Sequence, residues 1–167
     1  MLALQTLATV TASIRLYGLI PDGITHAGIL PGILLEKNEY KDAAFGIADV
    51  RTAFQKISRR AVWDVLCTLP DSVYKQRLKR KFLSIYADKA FGYYTLADGT
   101  MKIITISEGV IQGCNFGTLF FNLGYTLKVL KPVKDEFEAK GLKAAPICIH
   151  DDSAAIGEPA AVCEKRC

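Results

Sequence analysis

The stretch Ile147–Gly157 reads ICIHDDSAAIG and places two adjacent acids between two short apolar segments. The β-prone residues on both sides predict two strands joined by a tight turn, with Asp151 and Asp152 at its tip. Two crowded carboxylates repel each other unless a cation neutralises them, and Mg²⁺ prefers carboxylate oxygens as ligands. The pair therefore predicts either a divalent-metal site or an ordinary Asp-Asp turn, because Asp is also a common turn former.

A third acid, Asp49, stands at the end of the apolar run Ala44–Ala48, which has the length of a strand. Ser58 follows as a plausible helix N-cap, before apolar residues at helical spacing. If the strand that ends at Asp49 neighbours the strands around Asp151 and Asp152, three carboxylates converge on one edge of a sheet.

The segment Ser107–Leu123, SEGVIQGCNFGTLFFNL, begins as a glycine-interrupted loop. It continues as an apolar helix predicted from about Phe116 to Leu130. Gly109, Gly113 and Gly117 would let a ligand approach the backbone closely. Loop geometry alone is the alternative explanation for glycines at this spacing.

Taken in order, these three segments resemble motifs A, B and C of reverse transcriptases. The matching residues are Asp-x-x-x-Ala-Phe from Asp49, Ser-x-Gly-Val-x-Gln-Gly-Cys from Ser107, and the Asp151-Asp152 pair. The Phe and the Gln-Gly-Cys sequence resemble non-LTR retrotransposon and group II intron-like enzymes. Residues 15–23 also resemble the segment that precedes motif A, so the resemblance extends from about residue 15 to about residue 160.

The resemblance implies a function for each acid. Asp49 and Asp151 would bind two Mg²⁺ or Mn²⁺ ions, with the Val50 carbonyl as a further ligand, and Asp152 would complete the acidic cluster. Such a metal pair activates the primer 3′-hydroxyl and stabilises charge on the leaving pyrophosphate. The implied partners are an RNA template, a DNA primer and deoxynucleoside triphosphates.

The resemblance also implies residues that bind substrate. Phe54, after Ala53, falls where these enzymes carry an aromatic ring that crowds a ribose 2′-hydroxyl, although a core aromatic one turn after a strand is an equal alternative. Gln112 and Gly113 would lie near the incoming nucleotide and the template base. Outside this family, Gln112 would be an ordinary polar loop residue.

Motif C departs from the family pattern in two places. Ile149 stands where these enzymes usually carry an aromatic residue, and His150 beside the acids is unusual. We interpret His150 as a partly exposed turn residue and not as a metal ligand, because Mg²⁺ prefers oxygen.

The length of 167 residues predicts one domain, residues 1–167. The predicted fold class is α+β, a palm-like antiparallel sheet with helices packed on one face, a partial fingers region and no thumb. Residues 1–43 would form fingers-side helices and 44–160 the palm. We therefore expect little processive synthesis by this chain alone. Helices are predicted at 3–16, 23–37, 58–68, 71–87 and 133–140, and hairpins at 91–106, with an Asp-Gly turn, and at 144–157.

Composition adds weaker constraints. The net charge of +4 is compatible with nucleic-acid contact. The basic run Lys75–Lys81 either contacts phosphates or forms a solvated helix face, and the solvated face is the commoner case. Five cysteines without a Cys-x-x-Cys pair indicate free thiols in a reducing, intracellular compartment. No run approaches the ~18–20 apolar residues that a membrane span requires. The sequence gives no indication of oligomeric state.

Two other interpretations stay open. One is a decayed or repurposed remnant that keeps the palm fold as a non-catalytic binding module or has no function. The other is a different palm-type polymerase or a nucleotide cyclase, which also pairs a strand-end acid with an acidic hairpin. The Gln-Gly-Cys loop and the Ala53-Phe54 pair argue against the latter.

Overall fold

The structure is a computed structural model and describes residues 15–16, 22–36, 42–150 and 152–163. In chain order its elements are β1 (Arg15–Leu16), α1 (Gly23–Leu35), β2 (Ala44–Asp49), α2 (Ala53–Lys56), α3 (Arg59–Thr68), α4 (Val73–Tyr86), β3 (Ala90–Thr95), β4 (Met101–Ile106), α5 (Asn115–Tyr125), a π-helical segment (Thr126–Leu130), α6 (Lys131–Ala139), β5 (Ala144–Ile149), β6 (Asp152–Gly157) and α7 (Pro159–Cys163).

The chain divides into two compact units. The first unit comprises Met1–Arg51 and Asn122–Cys167, and the second comprises Thr52–Phe121. The organisation of the whole chain as one domain stays a prediction. The division of residues 1–160 into fingers-side helices and palm stays one too.

The first unit is built on a four-stranded sheet in the order β1-β5-β6-β2. Strands β5 and β6 form the predicted hairpin, and β2 pairs antiparallel with β6 along its whole length. Among the strands that the structure describes, β1 is the one that runs parallel to its neighbour, β5. The predicted α+β class with an antiparallel palm-like sheet is confirmed.

The helix predicted at 3–16 is wrong at its end. Arg15 and Leu16 form a strand that pairs with Ile147 and Cys148, because hydrogen bonding to the edge of β5 outweighs a weak local helix preference. The rest of that predicted helix lies outside the described residues.

Helix α1 covers one face of the sheet. Its Ala27 and Leu34 are buried against Ala145, Ile147 and Ile156. Side chains of a strand alternate between faces, so Cys148, next to Ile147, belongs to the opposite face. That face also has helical cover, since the Tyr125 hydroxyl lies 2.9 Å from Ser153 Oγ. The prediction that the helices pack on one face of the sheet is therefore wrong, because both faces are apolar enough to bury a helix.

A π-helical segment joins α5 to α6, so that within the first unit residues 122–139 are helical without a break. Pro132 stands in the first turn of α6. A proline there lacks an N–H, and its ring would clash with the carbonyl of residue 128 in a regular α-helix. The wider turn at Thr126–Leu130 is where the chain accommodates that ring.

The second unit contains α2, α3, α4, the β3–β4 hairpin and most of α5. Ser58 caps α3 as predicted, because the Ala61 N–H donates to its hydroxyl at 3.2 Å. In the predicted Asp-Gly turn, Gly99 has a φ of 83° and the Thr100 N–H donates to Asp98. The core of this unit is aromatic, with the Phe82 and Phe120 ring centroids 5.1 Å apart.

Across residues 15–16, 22–36, 42–150 and 152–163, no helix is long and apolar enough to cross a membrane.

Candidate functional site

Two of the three predicted acids lie opposite each other at one end of the sheet. Asp49 is the last residue of β2 and Asp152 is the first residue of β6, and the two are direct partners in the β2–β6 register. Both are exposed. Asp151 lies outside the described residues. The register therefore brings together the strand-end acid and one member of the hairpin pair, as the sequence predicted.

The local sequence explains why the acids meet there. Phe45 and Ile47 share a face with Asp49, and in the register they oppose Ile156 and Ala154. On β6 this face is buried at Ile156, whereas on β2 Phe45 and Ile47 are exposed. Because alternation is fixed along a strand, this shared apolar face ends in a carboxylate on each strand at the same sheet edge. Val50, the predicted carbonyl ligand, follows directly and is half-buried.

The donor set suits a hard cation in its chemistry. Asp49 and Asp152 supply carboxylate oxygens at an exposed edge, which is the ligand type that Mg²⁺ and Mn²⁺ prefer. Within the described part of the chain, no group of three or more His, Cys, Asp or Glu side chains could hold a metal ion. The described pair alone is therefore two ligands of a larger predicted set.

A buried polar cluster supports the turn that carries the acids. His150 adopts a left-handed conformation with a φ of 56°, and its Nδ1 lies 2.9 Å from the side-chain amide nitrogen of Asn122. The Cys148 thiol donates to the His150 carbonyl at 2.9 Å. His150 is half-buried, in line with our interpretation of it as a turn residue.

Asn122 was missed in the sequence. It is fully buried on α5, inside the apolar run Leu119–Leu123. Buried side-chain amides need partners, so one Asn among Leu and Phe residues in a helix was a detectable signal. The partner was not detectable, because His150 is 28 residues away along the chain.

In the second unit, Gln112 borders a cavity of about 440 Å³. The walls are Gln55 and Arg59 on one side, the end of β4, and the loop 107–112. The Gln55 side-chain amide donates to the Gln112 side-chain oxygen at 3.2 Å. Gly113 has a φ of 81°, and nothing lies within 4 Å of where its Cβ would be. A ligand could therefore approach the backbone at this position.

Arg59 organises this loop, a role that the sequence analysis did not predict. Its guanidinium donates to four backbone carbonyls, those of Gly109 at 2.8 Å, Asp88 and Glu108 at 3.3 Å, and Ile106 at 3.4 Å. A guanidinium has five N–H donors in a rigid fork, so one side chain can tie together three separate segments.

Tyr86 completes the support of the loop. Its ring lies 5.2 Å from the Arg59 guanidinium, and its hydroxyl accepts from the Ile111 N–H at 3.1 Å. Burial raises the pKa of the Tyr86 phenol above its usual value. The hydroxyl therefore stays neutral at physiological pH.

Ala53 and Phe54, the other predicted substrate-binding residues, are buried at 5% and 6% exposure. The Phe54 ring stacks on Phe121, with centroids 4.3 Å apart and an interplanar angle of 14°. Within the second unit this geometry favours the alternative in which Phe54 is a core aromatic.

No model of a known protein family matches the chain, and no curated protein sequence matches it. Solved structures do match in fold. The chain is similar to telomerase from Candida albicans in complex with a TWJ fragment of telomeric RNA, at 10% identity and a TM-score of 0.64, covering 96% of this chain and 30% of that chain. It is also similar to apo telomerase from Candida tropicalis truncated from its C-terminal domain, at 17% identity and a TM-score of 0.61, covering 93% and 33%. A third match is Candida tropicalis telomerase in complex with the TWJ fragment, at 16% identity and a TM-score of 0.59, covering 94% and 28%.

These likenesses show the fold alone. The chain has a mixed helix and antiparallel-sheet fold like the polymerase fold of telomerase, which is a reverse transcriptase. It spans about a third or less of the length of each of these structures.

Proposed function

We propose that this chain is the palm of a reverse transcriptase that catalyses RNA-templated DNA synthesis by nucleotidyl transfer. The observation that carries the proposal is the register pairing of Asp49 with Asp152 in a telomerase-like fold. The partners would be an RNA template, a DNA primer and deoxynucleoside triphosphates. The residues of the motifs, Phe54 and Gln112-Gly113-Cys114, support an origin in a non-LTR retrotransposon or a group II intron-like element.

Asp49, Asp151 and Asp152, with the Val50 carbonyl, would hold two Mg²⁺ or Mn²⁺ ions. Metal ions at such a site lower the pKa of a bound hydroxyl and neutralise charge on phosphate oxygens. The chain itself contributes a fixed frame. The β2–β6 ladder sets the separation of Asp49 and Asp152, and the Asn122–His150 contact holds the turn beside them.

The second unit would supply nucleotide contacts. Gln112 presents its amide at the edge of the cavity, and the open backbone at Gly113 leaves room for a base. Arg59 keeps the loop in one conformation before a nucleotide binds, which reduces the ordering cost of binding. The buried position of Phe54 supports a core role there and leaves the discrimination of sugars to other residues.

Metal binding by the 167-residue chain tests the proposal. We expect Mn²⁺ titration to show saturable binding that is lost in Asp49→Asn, Asp151→Asn and Asp152→Asn. Asp42→Asn is the matched control, because Asp42 is an exposed acid two residues before β2. Equal Mn²⁺ binding by the control and the three variants would refute the metal site and leave the non-catalytic remnant as the better explanation.

Primer extension is the second readout. We expect little or no processive synthesis by the purified chain on an RNA template. Sustained extension would contradict that expectation while supporting the polymerase function itself.

A further inference from the structure

Helix α4 carries five Lys and Arg residues and no acid. Three of them, Arg77, Arg80 and Lys81, are exposed and lie at i, i+3 and i+4, so they are neighbours on the helix surface. Phe82 and Tyr86 are buried on the other side of the helix. We call Arg77, Arg80 and Lys81 the α4 basic face.

The other two cations of α4 are engaged within the second unit. Lys75 pairs with Asp71 at 2.9 Å, and the Lys79 ammonium lies 4.7 Å from the Trp63 ring centroid. By contrast, no acid within the described part of the chain pairs with the α4 basic face. The Lys81 ammonium lies over the Phe116 ring, 5.1 Å from its centroid, and stays exposed.

The lysines around α6 behave differently. Lys131, Lys134 and Lys140 are each paired with an acid four positions away, at Asp135, Glu138 and Glu136. Pairs of this kind compensate positive charge locally. The same number of cations therefore produces an uncompensated surface on α4 and a compensated one around α6.

The net charge of the whole second unit is also positive. Residues 52–121 contain ten Lys and Arg and five Asp and Glu, a net charge of +5, whereas the rest of the chain contains eleven and twelve, a net charge of −1. All of the excess positive charge lies in the unit that carries α4. A polyanion is the partner that complements such a surface.

We propose that the α4 basic face binds the phosphate backbone of single-stranded nucleic acid. The choice of nucleic acid rests on the proposed function. Phosphate contacts supply most of the sequence-independent affinity for nucleic acid, and a guanidinium matches phosphate geometry with two parallel hydrogen bonds. Arg77 and Arg80 have their guanidinium groups available for such contacts.

The test measures the salt dependence of binding to a short fluorescein-labelled single-stranded RNA of mixed sequence by fluorescence anisotropy. The variant replaces Arg77, Arg80 and Lys81 with Gln, and the matched control replaces Lys131, Lys134 and Lys140 with Gln. Both remove three positive charges. Thermal unfolding of each variant confirms that it is folded.

We expect the α4 variant to reduce the slope of log K against log salt by about 2, since each phosphate contact to a single strand contributes about 0.7. Between about 50 and 200 mM salt, the unmodified chain should therefore lose about twentyfold more affinity than the α4 variant. The control variant should keep the slope of the unmodified chain.

Three outcomes would overturn the proposal. The first is an equal change of slope in both variants, and the second is an unchanged slope in the α4 variant. The third is that the α4 variant no longer binds anionic lipid vesicles, which the unmodified chain binds, while its RNA binding is unchanged. Asp152→Asn separates this proposal from the polymerase function. If Mn²⁺ binding proves absent while the α4 slope change holds, the catalytic proposal fails and the nucleic-acid surface stands.

Discussion

The two units hold their candidate residues by different means. In the first unit, a continuous strand ladder sets the position of Asp49 against Asp152. In the second, hydrogen bonds from one side chain, Arg59, hold the loop that carries Gln112. The first unit therefore depends on regular backbone pairing, whereas the loop of the second unit also needs long-range side-chain hydrogen bonds, from Arg59, Tyr86 and Gln55.

The units also differ in charge, with a net charge of −1 on the first and +5 on the second. An exposed pair of carboxylates attracts cations, and an uncompensated basic helix attracts phosphates. If the proposed nucleotidyl transfer takes place, the carboxylates would hold metal ions and the basic helix would bind phosphates.

The largest expected effect is on the loop of the second unit. Gly109 has a φ of 71°, and a Cβ there would lie 2.4 Å from the Gln55 carbonyl oxygen. Gly109→Ala should therefore lower the free energy of unfolding by about 3 kcal/mol, from left-handed strain and steric overlap together. Urea denaturation of the purified chain measures this change.

Gly113→Ala is the control for Gly109→Ala. Its φ of 81° is equally left-handed, but nothing lies within 4 Å of the new Cβ. Only the strain remains, about 1–2 kcal/mol. Equal losses in the free energy of unfolding at the two positions would show that the loop is not packed against Gln55. The second unit would then not hold its loop by specific contacts.

A substitution of Arg59 tests how much this side chain contributes to the stability of the loop 107–112. Arg59→Lys keeps the charge but cannot donate to all four carbonyls, because an ammonium lacks the guanidinium fork. We expect a loss of about 2 kcal/mol, the cost of leaving partly buried polar groups unpaired. Amide hydrogen exchange should rise in the loop 107–112 and stay unchanged in β5 and β6.

Arg60→Lys is the control for Arg59→Lys. Arg60 is the next residue on α3, its side chain is 83% exposed, and its only described ion pair joins it to Asp64. Such a pair contributes at most about 0.5 kcal/mol. Similar losses for the two substitutions would contradict a special role for Arg59.

Local sequence patterns were enough for much of the fold. The Ala44–Asp49 strand, the Ser58 cap and the Asp-Gly turn each depend on residues within a few positions. The opposition of Asp49 and Asp152 was also predictable, because strand alternation leaves little freedom once both strands enter one sheet.

What the sequence could not provide were long-range polar contacts. Arg59 bonds to Gly109, 50 residues away, and Asn122 bonds to His150. An arginine at a helix start looks like any solvated cation until the loop that it contacts is placed. The same holds for Phe54, whose burial depends on a ring contributed by Phe121.

The smallest expected effect returns to the first unit, where the carboxylates are held together against their mutual repulsion. Like charges directly opposite in an antiparallel pair are destabilising. Asp152→Asn keeps the side-chain shape and removes one charge, so without divalent ions it should raise the free energy of unfolding by about 0.5 kcal/mol. Asp42→Asn, which has no register partner among the described residues, should leave it unchanged.

Saturating Mn²⁺ should make the unmodified chain more stable than Asp152→Asn, which reverses the order expected without metal. A metal that binds only the folded chain adds stability as its concentration rises above Kd, and the unmodified chain has both described carboxylates to bind it. Thermal unfolding with and without Mn²⁺ should therefore show Asp152→Asn as the more stable chain in chelator and the less stable one in metal. If the order is the same under both conditions, the acids of the first unit are not a metal site, and the difference in net charge between the two units is unrelated to metal binding.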